Sequence, residues 1–197
     1  LDLIQESIRK VAYHEAGHAA AWSFLDGGGE LKGLTIIPTG DYRGIHSLQT
    51  IPFSENLPSE ILRPRGKMTI IYNLAGRVAE SRVDADQLPL EDALLWENSA
   101  CDSEEEWRES TDEGKALKIA EVISNKSWPP YRILFLLEKW THELMDIPAV
   151  WGIVETLARK LIKEGEITDS DEFYEIVEPI IYGCLKDPKW ERRFSVK

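Results

Sequence analysis

The sequence contains very few cysteines. Cys101 and Cys184 are far apart in the 197 residues and lack the CxxC spacing of a redox or metal-binding pair. We therefore expect free thiols, which suit a reducing compartment, and a cytoplasmic protein. Without disulfides the hydrophobic core must stabilise the fold, and a chain of this length buries roughly 70% of the surface that its unfolded form exposes.

Long apolar runs are also lacking. No run approaches the about 20 residues that a membrane-spanning helix needs, and no signal peptide is recognisable. We predict that these residues include no membrane span. Because the sequence begins at Leu1 rather than at Met, an anchor upstream of Leu1 is left open.

Positive charge is scarce. Lys and Arg number 23 against 35 Asp and Glu, which gives a net charge of −12. Binding to a nucleic-acid backbone requires clustered basic residues, so we expect no nucleic-acid partner. An anionic membrane surface is disfavoured for the same reason.

Apolar residues recur at helical spacing over most of the chain. The predicted helices cover residues 2–25, a stretch from about 59, and 111–124, 131–145, 149–164 and 168–185. Gly165 is expected to cap the helix before it. β-forming residues around a turn at 38–44 predict a hairpin. The predicted fold class is α+β and mostly helical, with a small sheet after the first helix, a C-terminal helical bundle, and one domain over residues 1–197.

One segment is unusually acidic. Residues 81–113 contain twelve acidic side chains, opposed only by Arg82 and Arg108. Such a charge run is typical of a solvated face. We interpret residues 81–110 as an acidic insertion, a solvated loop with short helical pieces.

The first helix carries polar residues where an apolar face is expected. Its apolar residues share one face in a helical projection: Ile4, Ile8, Val11, Trp22 and Leu25. Glu15 and His18 lie on that same face, and His14 lies at its edge. Burying unpaired polar groups costs several kcal/mol, so something must offset this cost.

The His14-Glu15-x-x-His18 pattern is that of the zinc-protease helix. Two imidazoles four residues apart project about 40° from each other, one turn apart, and can hold one metal ion. Zinc binds neutral imidazole and lowers the pKa of its bound water to about 7. A carboxylate beside that water can take its proton and pass it to the leaving amine. These residues therefore predict a catalytic zinc site.

The alternative to a metal site is that the histidines have only structural roles. A chance match to the pattern would leave His14 and His18 in ordinary core hydrogen bonds, and their place on the apolar face argues against it. His46 is interpreted as an exposed residue at a strand end. His142 is interpreted as a packing residue on a late helix.

Several segments resemble one protein family in the order in which they occur. "VAYHEAGHAAAW" (11–22) resembles the start of the peptidase domain of the FtsH family, the ATP-dependent, membrane-anchored zinc metalloproteases. "LTIIPTGDYRG" (34–44) is similar to its strand-and-turn segment and "NLAGRVAE" (73–80) to its Leu-Ala-Gly-Arg-x-Ala-Glu helix. "TDEGKALKIA" (111–120) resembles its Asn-Asp segment, and "VETLARKLIKEGEITDSDEF" (154–173) its last helix pair.

The resemblance implies a third metal ligand and a general base. In that family the Asp of the Asn-Asp segment is the third ligand, and it corresponds to Asp112. Glu15 would be the general base. Asp92 is a rival ligand because it too could open a helix. Asp112 is favoured because three residues after it also match: Ala116, Ile119 and Ala120.

Together these features predict a zinc-dependent endopeptidase that hydrolyses peptide bonds of extended or unfolded polypeptides. The resemblance implies that the strand from Thr35 to Pro38 holds the substrate backbone by strand addition. The alternative is a binding or adaptor module that holds zinc but is not proteolytic by itself. A zinc hydrolase acting on something other than peptides is a third interpretation.

The resemblance also bears on partners. The ATPase module and the membrane anchor of the family are not among these 197 residues. In the family those parts unfold substrates and deliver them, which implies either substrates that are already unfolded or an ATPase acting in trans. Members of the family form hexameric rings, so a homo-oligomer is a further implication.

Overall fold

The computed structural model describes residues 2–25, 30–38, 45–49 and 53–185. The helices in this part of the chain are α1 (Asp2–Phe24), α2 (Ser59–Glu80), α3 (Leu90–Ala93), α4 (Glu104–Ser110), α5 (Asp112–Ile123), α6 (Pro130–Met145), α7 (Pro148–Glu164) and α8 (Ser170–Leu185), with a 3-10 turn at Trp96–Asn98. The strands are β1 (Glu30–Thr35), β2 (Ile45–Gln49) and β3 (Glu166–Ile167). The predicted mostly helical α+β fold is confirmed.

Helix α1 lies between α2 and α7. From Glu15 to Trp22 every residue is buried, because the helices around it cover all sides. The contact with α2 is very close: a Cβ atom at Gly17 would lie 2.5 Å from the carbonyl oxygen of Ala75. On the other side, the rings of Tyr13 and Trp151 pack with centroids 5.8 Å apart. Glu15 and His18 therefore lie inside the core.

The start of α1 differs from the prediction. Ile4 and Ile8 share the apolar face in projection, yet they are 65% and 39% exposed. All residues from 4 to 9 are exposed, so the first two turns extend beyond the helices that cover the rest of α1. A helical projection gives the direction of a side chain but not whether another element reaches it.

The small sheet has the strand order β2-β1-β3, with antiparallel neighbours. Strand β3 was not predicted. It follows Gly165, whose φ of +85° caps α7 as expected and turns the chain back toward β1. With two residues, β3 is too short to carry an alternating pattern.

The pairing of β1 bears on the strand addition expected at Thr35 to Pro38. Thr35 pairs with Ile45 on one side and with Glu166 on the other. The amide of Ile36 donates to the carbonyl oxygen of Gly165 at 2.9 Å. Substrate backbone cannot add to an edge that is already paired, so this expectation is wrong for Thr35 and Ile36.

The acidic segment contains the short helical pieces that were predicted, and its glutamates on α4 are exposed. It is also anchored in the core. Leu90 and Leu94 are 3% and 5% exposed, and Trp107 on α4 is 2% exposed. The segment is therefore solvated on one side and packed on the other.

Some expectations fall outside the described residues. These include the turn at 39–44 and the side chains of His46 and Cys184. Cys101 is a free thiol, as expected. Among the described residues, no helix has the length and the apolar character required to cross a membrane.

Replacing Trp107 by Ala should test how far the acidic segment depends on its core anchor. Loss of this buried side chain should lower the free energy of unfolding by about 3–5 kcal/mol. The matched control is Trp128→Ala, because Trp128 is 40% exposed, and we expect less than about 1 kcal/mol there. Urea unfolding of both variants measures the difference, and equal losses would contradict the anchor.

Candidate metal centre

Three donor atoms from two distant parts of the chain meet at one point. His14 and His18 are one turn apart on α1, and their Nε2 atoms are 3.1 Å from each other. Oδ2 of Asp112, at the first residue of α5, lies 3.1 Å from Nε2 of His14 and 3.0 Å from Nε2 of His18. The three atoms form a nearly equilateral triangle. They are the one group of three such donors found among the described residues.

The start of α5 fixes the position of Asp112. Thr111 is the N-cap residue in an extended conformation, and its Oγ1 accepts a hydrogen bond from the Gly114 amide at 3.0 Å. The same hydroxyl donates to the carbonyl oxygen of Trp107 at 2.8 Å. A carboxylate in the first turn is also favoured by the helix dipole.

The outer nitrogens of both imidazoles are already used. Nδ1–H of His18 donates to the carbonyl oxygen of Tyr72 at 2.8 Å, and Nδ1–H of His14 donates to Oε2 of Glu80 at 3.0 Å. A carbonyl oxygen can only accept, so this tautomer leaves Nε2 of His18 with a lone pair. The carboxylate of Glu80 favours the same tautomer for His14. Two nitrogen lone pairs and a carboxylate oxygen therefore face one another.

The charges at this point favour a cation. Burial lowers the pKa of His14, but its hydrogen bonds to Asp112 and Glu80 outweigh burial, and the pKa lies well above its usual value. Burial raises the pKa of Asp112, but His18 and His14 hold this pKa well below its usual value. Both directions mean that positive charge is stabilised between these side chains.

The donor set fits zinc. Two imidazoles and one carboxylate are ordinary ligands of a catalytic zinc ion, which keeps a fourth position for water. With bonds of about 2.0–2.1 Å to a tetrahedral ion, ligand atoms lie about 3.3 Å apart. The observed separations of 3.0–3.1 Å are slightly shorter than this.

The N-terminal part of the chain matches a protein-family model. Residues 3–84 match the model of peptidase family M41. The matched segment contains the His-Glu-x-x-His helix and the whole of α2, and it ends before Asp112.

Curated proteins that are similar to the chain are named ATP-dependent zinc metalloprotease FtsH. The protein of Mycoplasmopsis pulmonis is 36% identical over 76 residues, which is 39% of this chain and 10% of the relative. The protein of Acidimicrobium ferrooxidans is 25% identical over 166 residues, which is 83% of this chain and 23% of the relative. The resemblance to the FtsH-type peptidase domain is confirmed. The chain spans about a tenth to a quarter of the length of these relatives.

Glu15 lies beside the group formed by His14, His18 and Asp112, which we call the metal cluster. It is buried on α1, with 6% of its surface exposed. Burial, the largest influence on both groups, lowers the pKa of His14 and raises the pKa of Tyr72. The charge of Glu15 acts to raise both pKa values, which lie well above their usual range. The carboxylate therefore lies within electrostatic reach of the cluster.

The other candidates do not join the cluster. Asp92 lies on α3 and is not among the three grouped donors. His142 is an exposed residue in the last turn of α6. Its pKa is lowered, first by partial burial and then by Arg82. The structure thus places Asp112 beside His14 and His18. Asp92 and His142 are not part of this group.

A stripe on α2 was not assigned a role from the sequence. Tyr72, Gly76 and Glu80 are spaced four residues apart, so they share one face of α2. Tyr72 and Glu80 hold the two imidazoles, and a Cβ atom at Gly76 would lie 2.4 Å from Nε2 of His18. These three residues of α2 are four apart, as are His14 and His18. This shared spacing was the signal in the sequence that could have predicted the contact between the two helices.

Replacing Gly76 by Ala should push the imidazoles apart. Its Cβ would lie 2.4 Å and 2.6 Å from Nε2 of His18 and His14. We expect zinc affinity to fall by more than about tenfold, measured by competition with a chelator. In the control Gly152→Ala the new Cβ meets nothing within 4 Å. That variant should keep its affinity and gain about 0.5–1 kcal/mol of helix stability. Equal affinities in the two variants would refute the steric argument.

Proposed function

We propose that this chain is a zinc-dependent endopeptidase that hydrolyses peptide bonds of extended or unfolded polypeptides. The observation that carries the proposal is the convergence of Nε2 of His14, Nε2 of His18 and Oδ2 of Asp112 within 3.0–3.1 Å, beside buried Glu15. A purely structural zinc site normally fills all four positions with protein ligands and has no use for an adjacent buried carboxylate.

In this proposal His14, His18 and Asp112 hold the ion. Zinc, when bound, acts as a Lewis acid and lowers the pKa of a bound water to about 7. Glu15 takes a proton from the attacking water and later donates it to the leaving amine. Glu80 and the carbonyl group of Tyr72 hold the imidazoles in the tautomer that presents Nε2.

The substrate and partners follow from the relatives. They are named ATP-dependent, and the chain covers only part of their length. We propose that an ATPase delivers unfolded polypeptide, in trans if it is on another chain, and that the domain acts in the cytoplasm. A homo-oligomer is part of the same proposal.

Replacing Glu15 by Gln should separate chemistry from metal binding. The amide cannot accept the proton, so we expect cleavage of an unfolded test protein to fall by about 10²–10⁴-fold with zinc content unchanged. Glu97→Gln, an exposed acidic position, is the control and should keep full activity. If the parent holds zinc but cleaves nothing, even with an ATPase partner, the binding or adaptor alternative is correct.

Replacing Asp112 and Asp92 separately by Ala should identify the third ligand. We expect Asp112→Ala to lower zinc affinity by at least about tenfold, because only two imidazoles remain. Asp92→Ala should bind zinc like the parent. Chelator competition measures both variants, and full affinity in Asp112→Ala would rule out this ligand.

A further inference from the structure

Arg77 is a buried cation that connects three parts of the fold. It lies on α2 and is 5% exposed. Its Nε donates to Oε1 of Glu113 on α5 at 3.1 Å, and its Nη1 donates to Oε1 of Glu138 on α6 at 2.8 Å. Its Nη2 donates to the carbonyl oxygen of Leu88 at 2.6 Å. A planar guanidinium with several partners fixes their relative directions, which a lysine cannot do in the same way.

Both members of the Arg77–Glu113 ion pair are sequence neighbours of residues at the metal cluster. Arg77 follows Gly76, the residue that faces the two imidazoles. Glu113 follows Asp112, whose carboxylate meets the same imidazoles. The ion pair therefore connects α2 next to Gly76 with α5 next to Asp112.

The Arg77–Glu113 pair connects the start of α5 to α2. The Thr111 cap stabilises the first turn of α5, but its hydrogen bonds go to Gly114 and Trp107 and not to α2. At the other end of α5, Ile123 packs against α2 at Gly66, where a Cβ atom would lie 2.7 Å from its methyl group. The Arg77–Glu113 pair holds the end of α5 that carries Asp112.

We infer that Arg77 is a positioning residue, which holds the Asp112 carboxylate at the metal cluster through its bonds to Glu113. The inference rests on the proposed function, since it assumes that Asp112 is a zinc ligand. Glu138 binds the same guanidinium but belongs to α6, so it stabilises the fold without orienting the first turn of α5.

This difference supplies the test. Glu113→Ala and Glu138→Ala each remove one carboxylate partner of Arg77, and their side chains are 21% and 20% exposed. We expect Glu113→Ala to lower zinc affinity by about tenfold or more, as is typical when residues around the metal ligands are changed. Glu138→Ala should leave zinc affinity within about twofold of the parent, because substitutions away from the ligands usually have small effects. Zinc affinity is measured by chelator competition, and urea unfolding reports the stability of each variant.

The outcomes are distinguishable. If the parent binds no zinc, the proposed function fails. If the parent binds zinc and Glu113→Ala binds it equally well, or if both variants lose the same affinity, Arg77 is structural only and the inference is wrong. The Glu113→Gln and Glu138→Gln pair, which preserves side-chain volume, gives the same comparison if an alanine variant does not fold.

Discussion

Two imidazole nitrogens and a carboxylate oxygen face one another across about 3 Å, and much of the structure serves to keep them there. Like lone pairs repel, so this arrangement requires positive charge between the three atoms. The pKa of His14 lies above its usual value although burial lowers the pKa of an imidazole. The pKa of Asp112 lies below its usual value although burial raises the pKa of a carboxyl group. A proton can satisfy two of the atoms at a time, whereas a metal ion satisfies all three.

This constraint explains why α2 combines very different residues on one face. Glu80 and the carbonyl group of Tyr72 accept from the imidazoles, and Gly76 leaves the space into which both rings project. Any side chain at Gly76 would occupy the position of the Nε2 atoms. The helices α1 and α2 can come this close because Gly17 lies against the backbone at Ala75.

Local spacing was sufficient to predict one part of the site. His14 and His18 share a helix, so their geometry follows from 3.6 residues per turn. Asp112 is 94 residues beyond His18, and no periodicity relates the two, which is why spacing alone left Asp92 as a rival. Glu80 was missed because its role is a contact between two helices, and sequence patterns do not give such contacts.

The errors in the fold have the same origin. Ile4 and Ile8 lie on the apolar face of the helical projection, but their side chains are exposed. Strand β3 is too short for a pattern of its own, and its pairing with β1 removed the expected edge for substrate. Helix limits, by contrast, were predicted well, because caps and prolines act on residues near them in sequence.

The acidic segment is connected to the metal centre through its last helix. Trp107 is fixed in the core, and its carbonyl oxygen accepts from both the amide and the hydroxyl group of Thr111. Thr111 in turn caps α5, whose first residue is Asp112. A displacement of Trp107 would therefore be transmitted through Thr111 to Asp112. The segment that resembles a solvated insertion in composition thus forms part of the framework of the site.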